Sequence, residues 1–193
     1  MANRFHKMVV LLVLVAPLGT YATTTKNSVQ IFQGIRYIKQ EQTSPHKQIS
    51  HIVEIDLGDP EVRFMTTPGN GEEGPRETWC ETTRAFVKRT GAQVGINGNF
   101  FINDTEPHTE LLGLAVSAGD VVSPWDKGWA KYAVNIGKDN KVTFVKRAEG
   151  GSGTCKIVPE VKLFNALSGN EMLVSGGKIQ VSKDEEERHP RTG

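Results

Sequence analysis

The chain has 193 residues, with 23 Lys and Arg against 22 Asp and Glu, for a formal net charge of +1. That balance, without a basic stripe or interleaved basic and aromatic residues, argues against nucleic acid as a partner. The length suits one domain with its own core. The two cysteines lack the paired spacing of a zinc site, so no metal site is expected.

Residues 1–22 read as a secretory signal peptide. Arg4, His6 and Lys7 make the start positive, residues 8–15 are apolar throughout, and Thr20-Tyr21-Ala22 ends on a small residue suited to cleavage. The apolar run is about half of the ~20 residues that span a bilayer, so membrane contact is expected only through an uncleaved signal segment. Residues 23–193 are then one mature domain, secreted, periplasmic or otherwise extracytoplasmic. In such an oxidising space Cys80 and Cys155 are a disulfide candidate, with two free thiols as the alternative.

Residues 23–28 are polar and read as a loose leader. Strand formers dominate residues 29–39, and residues 49–57 alternate Ile49, Val53, Ile55 and Leu57 with Ser50, Glu54 and Asp56. A short strand is expected over 61–66, after the Gly58-Asp59-Pro60 turn, and a flexible loop over 68–75. One helix is predicted over 77–89, with Trp79, Thr83, Phe86 and Val87 on one face and Gly91 as its stop. A buried strand over 93–96 would follow and deliver Asn97 to its end. From Leu111 onward the pattern is hairpins, turning at residues 118–120, 138–141 and 175–177. The fold class expected is α+β: a strand-rich mixed sheet with hairpins and one main helix.

Two segments stand out chemically. Asn97-Gly98-Asn99-Phe100-Phe101 places glycine between two amides, a turn that can present donors and acceptors at a sheet edge. It reads equally as an ordinary Asn-Gly turn backed by core aromatics. His189-Pro190-Arg191-Thr192 combines a group for proton transfer with a bidentate phosphate binder and a neutral donor. The same residues also suit a polar tail after the charged run at 183–188. Asp104, Glu106 and Glu110 lie in a stretch that reads as a solvated polar loop. No Gly-x-Ser-x-Gly nucleophile motif is present.

In order, the chain carries residues 97–101, Gly113-Leu114-Ala115-Val116-Ser117-Ala118-Gly119, the Ser168-Gly169 to Gly177 segment and residues 189–192. This ordered set resembles the phosphodiester glycosidase family. The resemblance implies a secreted hydrolase that cleaves a sugar-1-phosphodiester to free sugar and a phosphomonoester. It implies catalytic roles for His189 and Asn97, and substrate binding by Arg191, Thr192 and Asn99. The partner would be a phosphorylated glycan or a sugar phosphodiester; the sequence names no cofactor. Family members continue past the His-Pro-Arg-Thr motif into an Asp-Gly-Arg segment and an Asp-Gly-Gly-Gly-Ser motif, which do not follow here. The domain is therefore expected to be incomplete, with a non-catalytic remnant or carbohydrate-binding module as the alternative to an enzyme.

Overall fold

The computed structural model describes residues 24–72, 77–105, 108–125, 130–148 and 157–180. Two compact units are distinguished, residues 1–31 with 35–54 and residues 32–34 with 55–193. The predicted signal peptide, Cys155, His189, Arg191 and Thr192 lie outside the described residues.

The first unit carries β1 (Thr24–Phe32), β2 (Ile35–Gln42) and β3 (Gln48–Ile55), with β2 in the middle. The expected leader is thus part of a strand from Thr24 onward. A turn at Gly34, whose φ of 68° suits glycine, leads from β1 into β2, so the polar stretch joins a ladder. Tyr37 and His51 stack at 5.9 Å between ring centroids.

In the second unit the predicted helix is shorter than expected. β4 (Thr78–Trp79) takes the first part of the window and α1 is Thr83–Thr90. Thr78 and Trp79 pair with Thr109 and His108, so ladder bonds outcompete the helical face there. Thr82 caps α1 by accepting from the Ala85 N–H at 3.2 Å, and Gly91 closes it in the left-handed region at φ 72°.

No strand forms over 93–96. The segment runs along α1, where a Cβ on Gly95 would lie 2.4 Å from the Val87 side chain, and Ile96 is 81% exposed. Nor does a strand form over 61–66. Its carbonyls are held by side chains instead: Asn140 donates to Val62, Asn165 to Phe64 and Ser117 to Thr66.

β5 (Phe101–Thr105) and β6 (His108–Leu111) form a hairpin, so Asp104 and Glu110 lie on strands rather than in the expected loop. The order in this small sheet is β4-β6-β5. The remaining strands are β7 (Ala115–Ser117), β8 (Asp120–Ser123), β9 (Tyr132–Ile136), β10 (Val142–Arg147), β11 (Ile157–Val158), β12 (Asn165–Gly169), β13 (Val174–Ser175) and β14 (Lys178–Ile179). The last two form a hairpin, as predicted. The others build a six-stranded sheet in the order β11-β10-β9-β12-β7-β8, with every ladder antiparallel. The fold is α+β and strand-rich, with α1 the one helix among the described residues.

Antiparallel register decides the two faces of this sheet, because paired residues project to the same side. Val116, Ala133, Val145 and Ala166 face the core, packed with Leu114 and Trp125. Asn135 is buried with them, donating to the Lys162 carbonyl and accepting from the Phe164 N–H. The opposite face carries Leu167, Val134 and Phe144 in one row, and Gly169, Tyr132, Lys146 and Val158 in the next.

Candidate functional site

The residues 97–99 turn lies against that second face. A Cβ on Gly98 would sit 3.2 Å from Leu167 Cδ2, so only glycine brings the backbone this close to β12 without displacing Leu167. Asn97 is exposed, and its Oδ1 accepts from the Thr83 hydroxyl at the start of α1. The side chain is oriented at one end while its amide NH₂ remains available to donate.

Asn99 turns inward. Its Nδ2 lies 2.9 Å from Ser168 Oγ, 3.0 Å from the Leu114 carbonyl, and 3.4 Å from each of the Leu112 and Gly113 carbonyls. An NH₂ has two hydrogens, so these acceptors share it. The Ser168 N–H donates back to Asn99 Oδ1 at 3.3 Å, and Ser168 Oγ donates to the Leu112 carbonyl at 2.9 Å. Gly113 completes the knot: at φ 83°, a Cβ there would lie 2.4 Å from Ala130 Cβ and 2.6 Å from Ser168 Oγ. Three of the four segments singled out in the sequence, beginning at Asn97, Gly113 and Ser168, therefore meet around one hydroxyl.

β12 runs from this knot to Gly169, and Asn170 and Glu171 beyond it line a cleft of about 650 Å³. Its other walls include Lys131, Tyr132, Phe144, Lys146, Met172 and Gln180. Ser168 and Asn170 are two residues apart, roughly 7 Å along an extended chain. The cleft and the Asn97 turn occupy the same face of the sheet, as the rows through Leu167 and Tyr132 require. Phe144 is 60% exposed there, a large apolar ring presented to solvent.

A second cleft of about 580 Å³ lies between residues 68–71 and β8, lined by Glu77, Glu110, Ser117, Asp120 and Val122. Glu77 accepts from the Leu111 N–H at 2.7 Å. Three carboxylates make this cleft poorly suited to an anionic ligand. Among the described residues, no group of three or more His, Cys, Asp or Glu is placed to hold a metal ion.

Of the residues expected at the site, Asn97 and Asn99 lie within the described chain, one at the surface and the other in the knot. His189, Arg191 and Thr192 lie outside it. Phe100 and Phe101, expected as core anchors or an apolar platform, are 44% and 52% exposed. Cys80 is an exposed free thiol, and its proposed partner lies outside the described residues. Ser168 was not foreseen as the node; a Ser-Gly pair ending a strand carries no signal of a contact 69 residues away.

A comparison with protein families matches residues 90–193 to the family described as phosphodiester glycosidase. The match begins where α1 ends and takes in the Asn97 turn, the Gly113 segment and β12. This chain belongs to the phosphodiester glycosidase family. No curated protein and no solved structure matches it.

Proposed function

We propose that this protein is an exported hydrolase of sugar-1-phosphodiesters. Water adds across the linkage: the sugar leaves with a free hydroxyl, and the phosphate keeps its other ester and becomes a phosphomonoester. Convergence of the Asn97, Gly113 and Ser168 segments carries this reading, because it gathers family motifs on one face beside a cleft of sugar-phosphate size. Asn97 would donate its amide to substrate, held by Thr83. Asn99 would act by fixing the turn that presents Asn97, and His189, Arg191 and Thr192 would supply proton transfer and phosphate binding.

The test is release of sugar by the purified chain from a glucose-1-phosphodiester carrying a chromogenic alcohol. Activity is expected to fall at least a hundredfold in Asn97→Ala and Arg191→Ala, with thermal stability unchanged. Hydrolysis that persists in both variants would remove these residues from the site; its absence from the unaltered chain would count against the reaction.

A further inference from the structure

The sequence assigned phosphate binding to Arg191 and Thr192 and gave no role to the cleft walls on β9 and β10. Two of those walls are lysines, Lys131 and Lys146, facing a single lining carboxylate, Glu171. Among the described residues, neither lysine is ion-paired. Lys146 pairs with Tyr132 across the ladder, and the Arg147 N–H donates to the Lys131 carbonyl at 2.9 Å, so both lysines project from one end of the β9–β10 pair. Phe144 lies two residues before Lys146 on the same face, roughly 7 Å away by strand rise.

We infer that this cleft binds an anionic sugar, with Lys131 and Lys146 holding the phosphate and Phe144 lying under the pyranose ring. The chemistry matches on both counts. Two ammonium groups supply up to six donors to phosphate oxygens. An exposed ring suits the apolar C–H face of a sugar, while Asn170 and Gln180 at the rim can both donate to and accept from hydroxyls. The acidic cleft beside β8 has none of these cations, which makes the Lys146 cleft the place for an anion. The choice of phosphate over another anion rests on the function proposed above; the presence of a binding site does not.

The test is calorimetric titration of the purified chain with three probes: glucose 1-phosphate, glucose and inorganic phosphate. Glucose 1-phosphate is expected to bind tightest. Lys146→Gln and Lys131→Gln should each weaken it about tenfold, and inorganic phosphate by a similar factor, the scale of one charge-assisted contact. Phe144→Ala should weaken glucose 1-phosphate and leave inorganic phosphate unchanged. All three side chains are exposed or at the cleft wall, and an unchanged melting temperature will show that each variant folds. Binding of glucose 1-phosphate within twofold of the unaltered chain in both lysine variants would overturn the inference, as would no binding at millimolar concentration. Binding that follows these expectations without any diester hydrolysis would keep the site and sink the reaction. Hydrolysis with an unchanged KM in both lysine variants would do the reverse.

Discussion

Asn99 and Ser168 exchange two hydrogen bonds, Nδ2 to Oγ at 2.9 Å and main-chain N–H to Oδ1 at 3.3 Å, across 69 residues of sequence. The pair ties the Asn97 turn to the central strand of the six-stranded sheet. Asn99→Ala would leave the Leu114 carbonyl and Ser168 hydroxyl short of a donor, at a cost of about 2 kcal/mol. Ser168→Ala removes one hydroxyl and should cost about 1 kcal/mol. Urea unfolding of both and of the double variant should give a coupling of about 1 kcal/mol. Strict additivity would show that the two side chains do not act together.

Gly113 and Gly119 both lie in the left-handed region, at φ 83° and 100°, but their surroundings differ. A Cβ at Gly119 meets nothing within 4 Å, whereas one at Gly113 meets Ala130 and Ser168. Gly119→Ala should cost about 1–2 kcal/mol from backbone strain alone. Gly113→Ala adds overpacking of about 1–3 kcal/mol and should also depress hydrolysis by displacing Ser168. Equal melting temperatures for the two variants would contradict the contact.

Thr82 accepts from the Ala85 N–H at the start of α1, and the neighbouring Thr83 hydroxyl orients Asn97. Thr82→Ala should destabilise the unit by about 1 kcal/mol in chemical denaturation. Thr83→Val keeps the helix and removes the donor, so kcat for diester hydrolysis should fall while stability changes little. A kcat equal to that of the unaltered chain would show that Asn97 needs no such orientation.

On β2, Lys39 Nζ lies 2.6 Å from Glu41 Oε1. The hydrogen bond and charge of Lys39 hold the Glu41 carboxyl below its ordinary 4.5, and Glu41 in turn raises Lys39 above 10.5. The Glu41 contribution is present above its unfolded pKa and lost as pH falls through the folded value. The Lys39 contribution is present below its unfolded pKa and lost as pH rises through the folded one. The pair therefore acts only between those limits, and because both groups are fully solvated its effect on stability is small. Carbon-detected NMR titration should place the Glu41 midpoint below 4.5 and return it toward that value in Lys39→Met. No movement in the variant would contradict the pairing.

The hairpins were legible because their turns carry their own chemistry. Ala118-Gly119 and Asn140 adopt positive φ where a small residue or Asn tolerates it, and Gly176-Gly177 does the same between β13 and β14. The stop of α1 was legible in Gly91 for a similar reason. Its start was not, since Thr78 and Trp79 have helical neighbours in sequence but strand partners in space. Residues 61–66 have a strand's composition, yet their carbonyls are taken by Asn140, Asn165 and Ser117 from well over forty positions away. Such side-chain claims on the backbone leave no local trace. The Asn97 turn could be singled out by its amides and glycine. The inward role of Asn99, and the lysines flanking Phe144, depended on strand order that no single stretch encodes.

The place of β12 between β9 and β7 bears on how the chain comes off the ribosome. The β7–β8 and β9–β10 hairpins are complete long before residue 165 is synthesised, and each then presents a bare edge where β12 will later insert. The two halves of the sheet become one only at that step, which is also the earliest moment at which Asn99 can meet Ser168. Assembly of the site is thus a late event in vectorial synthesis, and the interval before it is when the nascent chain most needs shielding from edge-to-edge association.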